Sequence, residues 1–149
     1  MAEHPTIPDL ETRVRQESAY RKQLPGMSSM LSLDIVSVDE TQQEIVTSFT
    51  ADPWAENVNG TIHGGVITSV IDSSMGILCH STLYPKRAPT INLNISFLRP
   101  VMKGQTLYTR AKLLRRGKNL LWFQSVSWVE NPEKPCATGE GTFYCSNEK

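Results

Sequence analysis

One short segment of the sequence combines residue types that can do chemistry at a carbonyl group. His63, Gly64 and Gly65 stand together, and Asp72 follows eight positions after Gly64. If a helix begins at Gly64, its first backbone N–H groups are unpaired and lie at the positive end of the helix dipole. Because glycine has no side chain, a carbonyl of another molecule could approach that backbone closely. The segment thus has the features of an oxyanion site, although a plain loop-to-helix junction would also explain two glycines.

Asp72 is the one charged residue in the stretch between His63 and Lys86. Aspartate is a poor helix-interior residue because its carboxylate competes for backbone hydrogen bonds. Burying it without partners would cost on the order of several kcal/mol. Asp72 belongs to a stripe of residues along one face of the predicted helix. This stripe either faces water or lines a cleft that needs a carboxylate, and we favour the cleft. The other members of this stripe are small or polar: Gly65, Thr68, Ser69, Ser73 and Gly76.

The segment fits a longer spaced motif, Asn-x5-His-Gly-Gly-x6-Asp, which begins at Asn57 and ends at Asp72. This motif resembles the phenylacetate-degradation (PaaI-like) family of acyl-CoA thioesterases, which have the hotdog fold. Downstream, TINLNISFLRP from Thr90 to Pro100 and the basic turn Arg116-Gly117-Lys118 resemble segments of the same family. The resemblance covers residues 30–144 and implies hydrolysis of an acyl-CoA thioester.

The resemblance also implies a role for each matching residue. Asp72 would act either as a general base on water or as a nucleophile at the thioester carbonyl. The Gly64 N–H would polarise the carbonyl oxygen, and Thr90 would help to place the nucleophilic water. Supporting roles are implied for three more residues: Asn57 would orient the water or the thioester, His63 would hold the loop and the helix start, and Gly65 would complete the tight junction.

The spacing of Gly64 and Asp72 has a consequence for assembly. Eight residues of one helix separate their backbones by about 12 Å at about 1.5 Å per residue. An aspartate side chain is too short to reach a carbonyl held at Gly64 of its own helix. If both residues act on one thioester, Asp72 must come from a second subunit. The resemblance agrees, since it implies a homodimer with shared active sites, commonly doubled into a homotetramer.

A basic turn offers a candidate site for the rest of the substrate. Arg115, Arg116 and Lys118 surround Gly117, and the side chains of arginine and lysine suit phosphate oxygens. We therefore expect Arg116 and Lys118 to contact the phosphates of coenzyme A, with Arg99 as a further candidate. A solvated hairpin tip accounts for the same turn equally well.

The elements around these residues predict an α+β fold. A surface helix is expected from Asp9 to Leu24, capped by Asp9 and ended by Pro25-Gly26. Apolar residues at helical spacing predict the long helix from Gly64 to about Thr82. An antiparallel sheet wrapped around this one long helix is the hotdog arrangement, and we expect a single domain over residues 1–149, with an N-terminal arm and helix in 1–28. The expected strands are Leu33–Val38, Glu44–Thr50, Ile91–Phe97, Thr106–Leu114, Leu120–Glu130 and Cys136–Ser146.

Composition excludes several other classes of protein. The formal net charge is zero, so neither nucleic acid nor an anionic membrane is an expected partner. Three cysteines without a C-x-x-C spacing, and an N-terminus without an apolar signal region, favour a cytoplasmic protein. No cluster has metal-ligand spacing, so no metal is expected. Coenzyme A would be part of the substrate, and no separate cofactor is expected.

Two other functions stay open on the sequence alone. A hotdog dehydratase or hydratase would need a titrating histidine opposite a carboxylate, whereas His63 stands beside two glycines. A non-catalytic acyl-CoA binding module would keep the fold but could lose Asp72. The sequence does not distinguish the acyl chain length or aromatic preference, nor coenzyme A from acyl carrier protein.

Overall fold

A computed structural model describes residues 6–146 of the chain. Within this range, one long helix lies against one antiparallel sheet, and shorter helices precede them. The sheet order is β1-β2-β4-β5-β6-β3, so β1 and β3 form its two edges. The elements are α1 (Leu10–Gln23), α2 (Met27–Leu31), β1 (Asp34–Asp39), β2 (Glu44–Thr50), α3 (Gly64–Leu83), β3 (Thr90–Phe97), β4 (Thr106–Arg116), β5 (Leu120–Trp128) and β6 (Ala137–Tyr144).

The central helix α3 packs closely on the sheet. Val70, Ile71 and Leu78 are fully buried, and two glycines on β6 make room for the helix. A methyl group on Gly139 would lie 2.7 Å from Ile95 Cδ1 and 3.0 Å from Ile71 Cγ2. The helix is long and apolar enough to cross a membrane, but 61% of its most apolar 18-residue stretch is buried inside the fold. It is therefore the core helix of a hotdog, as the sequence predicts.

The N-terminal helix α1 covers the side of α3 that faces away from the sheet. It begins after Asp9, whose Oδ1 accepts a 2.8 Å hydrogen bond from the Thr12 N–H, so the predicted cap is confirmed. Val14 is fully buried, and Arg21 extends its guanidinium over Gly76 of α3. Part of the small-residue stripe on α3 therefore lies beneath α1, and the expectation that the whole stripe lines a cleft is wrong at Gly76.

Candidate active site

The carboxylate of Asp72 is paired with the hydroxyl of Thr90. Asp72 lies in the middle of α3 and is half-buried, while Thr90 is the first residue of the edge strand β3. Thr90 Oγ1 donates a 2.7 Å hydrogen bond to Asp72 Oδ1. Within residues 6–146, no other hydrogen bond to this carboxylate is formed, so its second oxygen can accept a proton or bind water. The Thr90 oxygen keeps its lone pairs and can also accept from that water.

The start of α3 offers a free backbone donor. His63 is the N-cap, and its Nδ1 accepts a 3.0 Å hydrogen bond from the Gly65 N–H. Because Nδ1 is an acceptor here, it carries no hydrogen, and the imidazole holds the helix start. The Gly64 N–H has no acceptor among the described residues, and it lies at the positive end of a 20-residue helix. This N–H can donate to a carbonyl oxygen that develops negative charge.

Asn57 organises the loop that leads into the helix. Its Oδ1 accepts hydrogen bonds from the backbone N–H groups of Asn59 (2.9 Å) and Thr61 (3.2 Å). Its Nδ2 donates to Thr61 Oγ1 at 2.9 Å. The carboxamide is therefore largely committed to its own loop, with one N–H of Nδ2 left over. Orientation of water or thioester by Asn57 stays a prediction that depends on this remaining hydrogen.

Phe97 lies at the candidate site, although the sequence did not single it out. Its ring lies over Gly64, since a methyl group on Gly64 would be 3.2 Å from Phe97 Cζ. Phe97 is 54% exposed and forms, with Ile67 and Leu98, the apolar side of a groove of about 340 Å³ that opens at Gly64. The only available signal was its place at the end of the strand that begins with Thr90.

The edge strand β3 links the two halves of the site. Its first residue, Thr90, contacts Asp72, and its last residue, Phe97, covers Gly64. We call Asp72 with Thr90, and Gly64 with Phe97, the two half-sites. They are at opposite ends of one edge strand. In this chain β3 is paired on one side, by β6, and its Ile91 is 56% exposed. An exposed strand edge with apolar side chains is suited to pairing with another strand.

The predicted phosphate contacts divide between two regions. Arg116 and Lys118 lie around a cavity of about 180 Å³, and Lys86, from the segment after α3, joins them there. Arg99 instead lines the groove at Gly64, and its Nη1 donates to the backbone oxygen of Pro135 at 2.8 Å. The two regions are at opposite ends of α3, so Arg99 cannot share a phosphate with the other cations of its own chain.

Several other potential nucleophiles in the described chain are poorly placed for catalysis. Burial raises the pKa of the Cys79 thiol to about 12, with a further contribution from Cys145, so the reactive thiolate is scarce at neutral pH. Burial also raises the pKa of Cys136. The hydroxyls of Ser69 and Ser74 donate back to helix carbonyls four residues earlier, at 2.8 and 2.7 Å. Asp72 is the better candidate because its carboxylate has an unused oxygen.

Comparison with known proteins places this geometry in a family. Residues 59–136, just over half of the chain, match the model of the thioesterase superfamily. Acyl-coenzyme A thioesterase 13 from Mus musculus is 25% identical over 127 residues, which cover 83% of this chain and 88% of that protein. Acyl-coenzyme A thioesterase PaaI from Escherichia coli (strain K12) is 32% identical over 88 residues, covering 59% of this chain and 60% of that protein.

Solved structures show the same architecture. The E. coli PaaI protein from the phenylacetic acid degradation operon superimposes with a TM-score of 0.79 at 23% identity, covering 95% of this chain and 99% of that one. The family match includes His63, Gly64, Gly65 and Asp72 but begins after Asn57. The chain therefore belongs to the thioesterase superfamily, as a PaaI-like hotdog enzyme that hydrolyses thioesters.

Proposed function

We propose that this enzyme hydrolyses acyl-CoA thioesters to a carboxylic acid and free coenzyme A. The observation that carries the proposal is the Thr90–Asp72 hydrogen bond, which leaves one carboxylate oxygen free at the edge of the sheet. The free Gly64 N–H supplies the second element that thioester hydrolysis needs. The names of the mouse and E. coli relatives support coenzyme A as the carrier of the acyl group.

The chemistry follows from the two half-sites. Asp72 takes a proton from a water held beside Thr90, and the resulting hydroxide attacks the thioester carbonyl. The carbonyl oxygen gains negative charge and accepts the Gly64 N–H. The tetrahedral intermediate then expels the thiolate of coenzyme A, which takes back the proton. Direct attack by Asp72, followed by hydrolysis of the acyl-enzyme anhydride, uses the same groups and stays an open alternative.

The site is shared between two copies of the chain in this proposal. Asp72 and Gly64 are about 12 Å apart along α3, too far to meet at one carbonyl. A two-fold axis that pairs β3 with the partner's β3 antiparallel would place the Thr90 end of one strand beside the Phe97 end of the other. Asp72 of one protomer would then face the partner's Gly64. Further pairing of two such dimers would give the homotetramer that the resemblance implies.

The basic cavity would hold the phosphates of coenzyme A. Asp72 and Leu83, which lines this cavity, are separated by about 17 Å along the helix, a span that a pantetheine arm can bridge. The cations Lys86, Arg116 and Lys118 would then contact the nucleotide end of the substrate bound at Asp72 of the same protomer. This arrangement favours coenzyme A over acyl carrier protein. Coenzyme A is part of the substrate, and no separate cofactor takes part in the proposed steps.

A reducing compartment suits the described thiols. Cys79, Cys136 and Cys145 are all free and buried, as expected for a protein that works in the cytoplasm. We include this localisation in the proposal.

Release of free thiol from a panel of acyl-CoA substrates tests the proposed function. A hydrolase releases coenzyme A and a carboxylic acid in equal amounts. A dehydratase or hydratase would instead change the acyl chain and keep the thioester intact, and a binding module would bind the panel without turnover. Acyl groups of graded length and aromatic acyl groups, each on coenzyme A and on acyl carrier protein, would define the substrate. Absence of thiol release across the whole panel would refute the proposal.

A further inference from the structure

A charged cluster joins α1 to the end of α3 and to the segment before β3. Glu17 of α1 has a side chain that is only 11% exposed, and it forms ion pairs with two arginines. Arg21 Nε donates to Glu17 Oε1 at 2.8 Å, and Arg87 donates to both carboxylate oxygens, at 2.8 and 3.0 Å. His80 Nδ1 lies 3.3 Å from Glu17 Oε1. Residues from three separate parts of the sequence therefore meet at one carboxylate.

The charge of Glu17 is maintained by these contacts. Burial acts to raise its pKa, but contacts with His80, Arg87 and Arg21 outweigh burial and hold the pKa well below its usual range. Glu17 in turn raises the pKa of Arg87. The Arg87 guanidinium also lies 5.2 Å from the ring centroid of Tyr20, a second residue of α1. Arg87 is thus bound between two side chains of the same helix.

The cluster acts on the backbone that leads to Thr90. Arg87 is three residues before Thr90, and its side chain is fixed by Glu17. His80 Nε2 lies 3.0 Å from the backbone oxygen of Ala88 and donates its hydrogen to it. The backbone oxygen of Pro89 accepts from the Tyr144 N–H at 3.0 Å. Every residue from 87 to 89 is thereby bound immediately before the hydroxyl that contacts Asp72.

We propose that Glu17 is a positioning residue for thioester hydrolysis, because its ion pair with Arg87 fixes the segment that holds Thr90 against Asp72. Glu17 touches neither substrate nor reacting atoms, and it acts through Thr90. This inference rests on the proposed function of Asp72 and Thr90. It assigns to the N-terminal helix a part in the reaction that nothing in the motif around Asp72 indicates.

The matched variants are Glu17→Gln and Glu11→Gln. Both remove one carboxylate of α1, but among residues 6–146 Glu11 pairs with Arg15 alone, in an exposed contact. We expect Glu17→Gln to lower kcat about tenfold or more with little change in KM, because small displacements of a catalytic group are costly. Arg87→Gln, which removes the other partner at a side chain that is 53% exposed, should have the same effect. Glu11→Gln should match the wild type.

A double-mutant cycle with Thr90→Val separates positioning from general stability. If Glu17 acts through Thr90, Glu17→Gln should lower kcat in the wild-type background and have little further effect in Thr90→Val. Equal effects in both backgrounds, or wild-type kcat in both Glu17→Gln and Arg87→Gln, would overturn the inference while leaving the proposed function intact. Failure of the proposed function has a different signature, since the wild-type protein itself would then release no thiol.

Discussion

The hydroxyl of Thr90 and the carboxylate of Asp72 meet at 2.7 Å, where the edge strand begins beside the middle of the central helix. This contact places a carboxylate with one free oxygen at an open sheet edge. The other half of the site, the Gly64 N–H, lies near the far end of the same strand, where the Phe97 ring packs against the Gly64 Cα. Pairing of two edge strands is the simplest way to bring the two halves together.

Thr90 can be tested by two substitutions that separate its hydroxyl from its methyl group. Thr90→Val removes the donor to Asp72, and Thr90→Ser keeps it. A hydrogen bond to a charged group is worth about 1.5–3 kcal/mol, so Thr90→Val should lower kcat by about 10- to 100-fold while Thr90→Ser stays close to the wild type. Steady-state kinetics on one acyl-CoA substrate makes the comparison. A loss in Thr90→Ser together with wild-type kcat in Thr90→Val would mean that the methyl group, not the hydroxyl, is what counts.

The Glu17 ion pairs predict a pH-dependent contribution to stability. Because the folded-state pKa of Glu17 lies below the ordinary value of 4.5, its contribution is fully present above pH 4.5 and is lost as the pH falls toward the folded-state pKa. At pH 7, Glu17→Gln should reduce the free energy of unfolding by about 2 kcal/mol, and the difference from wild type should shrink below pH 4.5. Urea unfolding at several pH values measures this. A difference that stays constant down to pH 3 would contradict it.

A side chain on Gly64 should interfere with the carbonyl of the substrate. Gly64→Val is expected to lower kcat/KM by about 100-fold with Asp72 unchanged, as for a displacement of the substrate of about 1 Å. Contact with Phe97 is a second way in which the valine could act, since a methyl group there lies 3.2 Å from the ring. Introducing Gly64→Val into a Phe97→Ala background separates these two causes. The same loss in that background supports obstruction of the carbonyl, whereas recovery would assign the loss to Phe97.

The basic cavity predicts a difference between substrates with and without the nucleotide. Replacing Lys86, Arg116 and Lys118 with glutamine should raise KM for acyl-CoA about tenfold or more, since about 1.5 kcal/mol is assigned to one charged contact. KM for the corresponding acyl-pantetheine should hardly change. Arg15→Gln serves as the control, since Arg15 is an exposed cation of α1 that pairs with Glu11 and takes no part in the proposed site. Equal changes for the two substrates would mean that the cavity does not bind phosphate.

Those parts of the fold and of the candidate site that depend on local sequence patterns could be predicted. Strand β2 was predicted with the bounds that the structure has, because Glu44–Thr50 is rich in residues that favour strands. The structure buries its Ile45, Thr47 and Phe49. Helix α3 followed from apolar residues at helical spacing between Val66 and Leu78, although it opens with two glycines. The roles of Asp72, Gly64 and the other site residues stay predictions until the variants are measured.

Other features depend on contacts between distant parts of the chain. Lys86 joins the basic cavity only because the end of α3 lies next to the β4–β5 turn. Gly76 is small because Arg21 crosses it, 55 positions earlier in the sequence. The short helix α2 has no side-chain cap, so nothing in its sequence marks its start. No local pattern could have indicated these contacts.

The most direct test of a shared hydrolytic site mixes two inactive variants. Asp72→Ala removes the proposed base and should lower turnover by about 10²–10⁴-fold, and Gly64→Val damages the oxyanion side. In a mixed dimer, one site carries both defects and the other carries neither. Random exchange makes about half of the dimers mixed, so thiol release should recover to about a quarter of the wild-type rate. If mass spectrometry confirms exchange and no activity returns, Asp72 and Gly64 do not act together across two subunits, and the shared-site account is contradicted.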